Sequence, residues 1–225
     1  MGITQSIMLG TWCIATYALL KSNPKPSPKD GQRQRQIKIL RELYGFDYAK
    51  RNIAFAGTSG IGKSTMINSL RGLKEGDEGA AKCDYDECTM EVARYPLCSH
   101  IDLWDLPGAG TVRHPSAGYF DDKHLFIMDA IVIVVRNRLS EIDMEIARRA
   151  RNERIPYFFV RNLVEEAKKK DPEMRQKIVK RFEESFKDLQ VKPKLYLVNA
   201  HAFSDNAFDE KVLAEEVLKN IVYRK

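Results

Sequence analysis

The chain has 225 residues, 44% of them hydrophobic, and a formal net charge of +6. This length is enough for one domain core with a short appendage and excludes two full domains. The positive charge favours contact with anionic surfaces. The basic clusters at residues 148–154 and 168–170 lack interleaved aromatic side chains. They are typical of solvated helix faces, so we expect no nucleic-acid partner.

The N-terminus combines an acylation pattern with an uncharged segment. The first six residues fit M-G-x-x-x-S, which predicts myristoylation of Gly2. Ile7 to Leu20 carries no charge and no basic residue precedes it, which excludes an ordinary secretory signal. One acyl chain anchors a protein weakly, so we expect the apolar segment to add a second membrane contact. A membrane-spanning helix and a helix packed on the domain are the alternatives for this segment.

A helical extension follows a linker. Prolines at alternate positions between residues 23 and 29 predict a stiff, solvated connection. Gln32–Lys50 is predicted to be a helix with one apolar face. The apolar positions of that face are Ile37, Leu40, Leu43 and Tyr44. The predicted division of the chain is an N-terminal segment at 1–30, a helical extension at 31–50 and a main domain at 51–225.

From residue 51 onward, predicted strands and helices alternate. The predicted strands are Asn52–Ala56, Met90–Tyr95, His100–Asp105, Ala130–Arg136, Tyr157–Arg161 and Leu195–Asn199. The predicted helices are Ser64–Arg71, Ala117–Phe126, Glu141–Asn152, Pro172–Leu189 and Glu210–Val222. This alternation indicates an α/β fold, with a mostly parallel sheet covered by helices on both faces. Ligands of such folds bind beyond the carboxyl ends of the strands.

The segment after the first strand has the pattern G-x-x-x-x-G-K-S, typical of the phosphate-binding loop of nucleoside triphosphatases. A predicted strand precedes it and a predicted helix follows, which is the context that this loop requires. Its backbone N–H groups and the helix N-terminus favour bound phosphates. Lys63 is expected to reach the β- and γ-phosphates, and Ser64 to offer its hydroxyl to Mg²⁺. The candidate nucleotide-binding residues here are Gly57, Thr58, Ser59, Gly60, Ile61, Gly62, Lys63, Ser64 and Thr65.

A second motif closes the third predicted strand. Asp105-Leu106-Pro107-Gly108 has the form D-x-x-G and lies about forty residues after the phosphate loop. In GTPases this aspartate holds Mg²⁺ through water, and the glycine N–H contacts the γ-phosphate. Asp105 and Gly108 are therefore candidate nucleotide-binding residues, and Asp105 is a candidate metal ligand.

These motifs, in their order and spacing, resemble the immunity-related GTPases, a family of interferon-inducible, dynamin-like GTPases. The resemblance covers residues 50–222 and implies a P-loop NTPase fold of the Ras-like type. The segments that carry it are Gly57–Ser64, Ile67–Gly72, Glu78–Lys82, Glu87–Glu91, Trp104–Gly108 and Tyr157–Arg161.

The resemblance implies roles for two residues between the motifs. Thr89 is similar to the switch threonine that closes on Mg²⁺ and the γ-phosphate, and Glu87 to a glutamate implicated in hydrolysis. A carboxylate at that place can orient an attacking water. Ala109 follows Gly108 where Ras-like enzymes have a water-orienting glutamine, so we expect slow turnover by the isolated chain. The family's nucleotide-dependent pairing implies transient dimers, with a second copy or a related GTPase, that complete the site.

The base-binding motif departs from the family. The family pattern T-K-x-D is replaced by Asn162-Leu163-Val164-Glu165. Leu163 stands where a lysine stacks over the base, whereas Glu165 keeps a carboxylate for the guanine N–H groups. We expect guanine to be preferred, but less strongly than in the family. The family also continues into a C-terminal helical domain, and this chain stops at Lys225.

The sequence therefore predicts a cytoplasmic GTPase that hydrolyses GTP to GDP and phosphate with Mg²⁺. Its N-terminus would attach it to intracellular membranes, and its role would lie in cell-autonomous defence or on those membranes. The alternative is a nucleotide-binding regulatory module with little or no hydrolysis that pairs with longer relatives. A related ATPase is a third interpretation, because the base motif is altered.

Overall fold

The computed structural model describes residues 31–82, 91–109, 118–162, 172–186, 193–201 and 209–222. The helices are α1 (Gly31–Leu43), α2 (Lys63–Leu70), α3 (Tyr119–Asp122), α4 (Glu141–Asn152), α5 (Pro172–Ser185) and α6 (Glu210–Val222). The strands are β1 (Arg51–Ala56), β2 (Ala93–Cys98), β3 (Ile101–Asp105), β4 (Ala130–Val135), β5 (Tyr157–Asn162) and β6 (Leu195–Val198). A 3₁₀ helix covers Leu125–Ile127.

The six strands form one sheet in the order β2-β3-β1-β4-β5-β6. All neighbours are parallel except β2, which runs antiparallel to β3. Central β4 is buried along its whole length, as its uninterrupted apolar sequence requires. Edge strand β2 alternates in burial and contains Pro96, which an edge position tolerates. The α/β prediction is confirmed, although β2 begins three residues later than expected.

Helices cover both faces of the sheet. Alternate residues of β1 enter two separate apolar clusters, with Ala54 in one and Ile53 in the other. The first cluster receives side chains from α1, α4 and α5, and the second from α2 and α6. Because successive side chains of a strand point to opposite faces, each cluster is the core of one face.

One predicted helix is wrong in form. The helix expected over Ala117–Phe126 is, within the described residues, the four-residue α3 followed by the 3₁₀ helix. The break falls at His124, whose φ of 49° lies in the left-handed region that an α-helix cannot contain. A burial pattern typical of a helix does not reveal one residue with such a backbone angle.

The predicted helix Gln32–Lys50 is too long, because α1 ends at Leu43. Two hydrogen bonds close it: the Gly45 N–H donates to Glu42 O (3.0 Å) and the Phe46 N–H to Arg41 O (2.8 Å). This pair of bonds is a Schellman motif, which ends a helix. The predicted apolar face is also partly wrong, since Leu43 is 76% exposed. Ile37 and Leu40 do pack on the core.

A polar network, here called the Asp129 network, joins Asn52 near the amino end of β1 and Asp129 just before β4 to Arg41 of α1 and Trp104 of β3. Asp129 accepts from the Arg41 guanidinium (3.0 Å) and from the Asn52 N–H (2.8 Å). The Trp104 indole N–H donates to Asn52 Oδ1 (2.9 Å). Phe46 stacks on Trp104 with ring centroids 4.6 Å apart. The network therefore fastens α1 to the sheet.

None of the helices in the described part of the chain has the length and apolar character that crossing a bilayer requires.

Candidate nucleotide-binding site

The phosphate loop joins β1 to α2 at the carboxyl edge of the sheet. Gly57 and Gly62 have φ values of 135° and 91°, which side-chain-bearing residues rarely adopt. Space is restricted as well, since a Cβ on Gly57 would strike the Val134 carbonyl and one on Gly62 the Asn162 amide. The strand–loop–helix context predicted from the sequence is present, and the loop can have only glycine at these two positions.

Lys63 is the first residue of α2, and its side chain lies against the loop. Its ammonium donates to the carbonyls of Thr58 (2.8 Å) and Gly57 (3.3 Å), and the residue is buried. An ammonium has three donors, and carbonyl groups orient it at the loop that would hold the phosphates. This position agrees with the role predicted for Lys63.

Ser64 and Asp105 come together from separate elements. The Ser64 hydroxyl donates to Asp105 Oδ2 at 2.6 Å, and Asp105 is 1% exposed. Parallel pairing of β1 with β3 sets Asp105 opposite Phe55, which lies just before the phosphate loop in the sequence. Hydroxyl and carboxylate oxygens are ligands that Mg²⁺ accepts, often with water between. The donor set therefore fits the predicted metal, with these two residues as its holders.

The D-x-x-G segment packs directly on the phosphate loop. The Ala109 N–H donates to Gly57 O (3.1 Å), and Ala109 forms a parallel bridge with Thr58. A Cβ on Gly108 would come within 2.5 Å of the Ser59 Cα atom. The structure thus places Gly108 beside the loop, where its N–H was predicted to meet a γ-phosphate.

Two buried groups behind the loop were missed by the sequence analysis. The Tyr119 hydroxyl donates to Pro107 O at 2.6 Å and so holds the D-x-x-G segment. Burial, with help from the charges of Asp105 and Asp143, raises the pKa of Tyr119, which keeps this donor protonated. Asp143 caps α4 together with Ser140. Burial raises the pKa of Asp143, whereas the hydrogen bonds from Ser140 and the charge of Lys63 act in the opposite direction. The S-x-x-D pattern before α4 could have identified the cap.

Asn162 joins the loop to the end of β6. Its amide donates to Ile61 O (3.3 Å), and its Oδ1 accepts from the Ala200 N–H (3.0 Å). The first residue of the altered base motif therefore lies against the phosphate loop. Gly2, Glu87, Thr89, Leu163 and Glu165 lie outside the described residues.

A phosphate loop on a mostly parallel sheet, with D-x-x-G beside it, defines a P-loop nucleotide-binding protein of the GTPase fold. The sequence profile of the family described as Interferon-inducible GTPase (IIGP) matches residues 29–225. The chain therefore belongs to this family of interferon-inducible, immunity-related GTPases.

Individual relatives agree with this assignment. Mouse Interferon-inducible GTPase 1 is 35% identical over 129 residues, which cover 56% of this chain and 31% of that protein. Mouse Immunity-related GTPase family M protein 3 is 27% identical over 190 residues, or 80% of this chain and 45% of that protein. The chain thus matches between about a third and a half of these relatives' length.

Two solved structures share the fold. LeoA, a bacterial dynamin GTPase from ETEC, has a TM-score of 0.57 at 14% identity, covering 98% of this chain and 43% of LeoA. Era from Aquifex aeolicus, bound to GDP and AlF4⁻, has a TM-score of 0.52 at 16% identity, covering 75% of this chain and 56% of Era. At such identities the likeness extends to the fold alone.

Proposed function

We propose that the chain binds GTP with Mg²⁺ and hydrolyses it slowly to GDP and phosphate. The proposal rests on one observation, which is that four predicted site residues lie together at the phosphate loop. They are Lys63, Ser64, Asp105 and Gly108. Membership of the immunity-related GTPase family supports GTP as the nucleotide.

In the proposed reaction, water attacks the γ-phosphorus in line, the bond to the β–γ bridging oxygen breaks, and GDP leaves. Lys63 and the loop N–H groups stabilise the charge on the phosphate oxygens. Ser64 and Asp105 would hold Mg²⁺, with Thr89 as a third ligand, and the ion would supply positive charge that offsets the charge of the phosphates. Glu87 is the proposed group that orients the water. Because Ala109 supplies no water-orienting side chain, a second copy or a related GTPase is proposed to complete the site.

The N-terminus is proposed to attach the chain to an intracellular membrane. Myristoyl-Gly2 and the apolar segment from Ile7 to Leu20 would act together, because one acyl chain binds only marginally. A role on intracellular membranes or in cell-autonomous defence follows from this attachment and from the family. In cell fractionation, Gly2→Ala is expected to move the protein from the membrane to the soluble fraction. Unchanged fractionation would contradict acylation as the anchor.

Calorimetry and phosphate release test the enzyme proposal. The full chain would be titrated with GTP, ATP and their diphosphates, and then assayed for phosphate at increasing protein concentrations. We expect tighter binding of the guanine nucleotides, and release per molecule that rises with protein concentration. Release per molecule that does not change with concentration would contradict dimer activation.

A regulatory module with negligible hydrolysis is the second candidate. The observations that favour it are Ala109 in place of the glutamine and Leu163 in place of the lysine. Tight nucleotide binding without phosphate release at any concentration would establish this candidate and refute the enzyme. Tighter binding of ATP than of GTP would instead indicate the related ATPase.

A further inference from the structure

Arg136 is an exposed arginine at the rim of the phosphate loop that no nucleotide motif includes. It directly follows β4, which lies between β1 and β5 in the sheet. Its guanidinium donates to the carbonyl of Gly60, within the loop, at 3.0 Å. The two residues are 76 positions apart in the sequence, so the contact is set by the fold alone.

The backbone at Arg136 is held in place by a buried neighbour. Arg161 of β5 donates from Nε to the Arg136 carbonyl (2.7 Å) and from its guanidinium to Asn137 Oδ1 (3.2 Å). Arg161 is buried, whereas Arg136 and Asn137 are exposed, so these bonds are partly shielded from water. The base of the Arg136 side chain is therefore fixed relative to the strand that ends at Asn162.

The path of a nucleotide follows from these positions. The loop after β1 takes the phosphates, and the base motif begins at Asn162, at the end of β5. A nucleotide that reaches from one to the other must cross the end of β4, where Arg136 stands. A guanidinium is planar, stacks on aromatic faces and donates several hydrogen bonds.

We infer that Arg136 contacts the bound nucleotide on the ribose and base side of the phosphates. This inference rests on the proposed nucleotide binding and adds a residue outside the known motifs. A stacked guanidinium does not read the edge of the base, so Arg136 strengthens the binding of any purine nucleotide. Guanine discrimination would come from other residues.

Equilibrium titration of the full chain with fluorescent GDP and ADP analogues tests the inference. Arg136→Ala is expected to weaken both nucleotides about tenfold, by a similar factor. Arg138→Ala is the matched control: it removes the same charge two residues away, and the residue is also exposed. It is expected to change affinity less than about twofold. An Arg136→Ala affinity equal to that of wild type would overturn the inference, as would a loss confined to GDP.

Arg136→Gln separates nucleotide contact from a purely structural role. Glutamine keeps a neutral hydrogen-bond donor on a shorter side chain, but it lacks the charge and the extended plane of the guanidinium. We expect a melting temperature by circular dichroism close to that of wild type, with weakened nucleotide binding. Wild-type affinity in this variant would show that Arg136 only ties the loop, and would overturn the inference.

If wild type bound neither analogue, both the proposed function and this inference would fail; if only the Arg136 variants matched wild type, the inference alone would fail.

Discussion

The two ends of the sheet hold their polar groups in different ways. At the amino ends, the Asp129 network joins side chains to one another and to backbone N–H groups. At the carboxyl ends, Lys63 and Arg136 rest on carbonyls of the phosphate loop. Side chains that rest on a loop can take a phosphate as an additional partner without breaking the core. The polar groups at the amino end therefore hold the fold together, whereas those at the carboxyl end remain able to bind a ligand.

The largest expected effect is on stability, at the amino end. Asp129→Ala removes the carboxylate that accepts hydrogen bonds from Arg41 and from the Asn52 N–H. Both donors then lack this acceptor at a mostly buried place. We expect the free energy of unfolding to fall by about 3 kcal/mol in denaturant titration. The matched control Asp121→Ala breaks a more exposed pair with Arg149, with an expected loss below about 1 kcal/mol. Equal losses in the two variants would contradict the proposed role of the Asp129 network in holding α1 on the sheet.

At the carboxyl end, Lys63→Ala is expected to act on binding. Loss of the ammonium should weaken GTP about a hundredfold in calorimetry, because a hydrogen-bonded charge on the phosphates is removed. The change in unfolding free energy should be smaller than that of Asp129→Ala, since the ammonium rests on the carbonyls of a loop at the edge of the sheet. Lys74→Ala, at an exposed lysine, is the matched control. GTP binding that survives in Lys63→Ala would refute the assignment of the site.

Asn162 lies at the carboxyl end, but its side chain hydrogen-bonds both to the phosphate loop and to the backbone of Ala200. Asn162→Ala removes the acceptor of the buried Ala200 N–H and the donor to Ile61 O. We expect a loss of about 2 kcal/mol in unfolding free energy, together with weaker nucleotide binding. Asn220→Ala is the control, since its amide makes an exposed hydrogen bond to Glu216 O. A stable variant with normal nucleotide affinity would show that the link between loop and β6 is dispensable.

The smallest expected effect concerns pH and Asp143. Burial raises its pKa, against hydrogen bonds from Ser140 and the charge of Lys63. A carboxyl whose pKa is raised on folding contributes stability that is present below the unfolded pKa and lost as pH rises through the folded pKa. Relative to wild type, Asp143→Asn should therefore become more stable as the pH is raised from acid to neutral. Asp122→Asn controls for the loss of a charge on the surface of α3, and a trend of opposite sign would refute the assignment.

Local patterns explain what the sequence could predict. The observed bounds of α4 agree with the predicted Glu141–Asn152, and the cap that Ser140 and Asp143 form lies within four consecutive residues, so the start of this helix has a local signal. The phosphate loop was predictable for the same reason, since its glycines are required by the backbone of one short segment. Such features depend on neighbours in sequence and therefore appear in any reading of it.

What could not be predicted depends on distant partners. Arg136 meets Gly60 across 76 residues, and Arg41 meets Asp129 across 88. Leu43 is exposed because the Schellman motif at Gly45 ends α1, and this last residue of the helix does not pack on the core. A single sequence shows each residue type but not its partner, so these contacts had no signal before the fold was known.

Trp104 gives the chain its own optical reporter. Its indole is buried against Phe46, donates to Asn52, and directly precedes Asp105 in β3. The chain has two tryptophans, and the other is Trp12. In a Trp12→Phe protein, all tryptophan emission comes from one indole that touches the fastening of α1 and is covalently joined to the site residue Asp105. Its emission can therefore report, without any attached dye, whether events at the nucleotide site reach the helix that leads to the N-terminus.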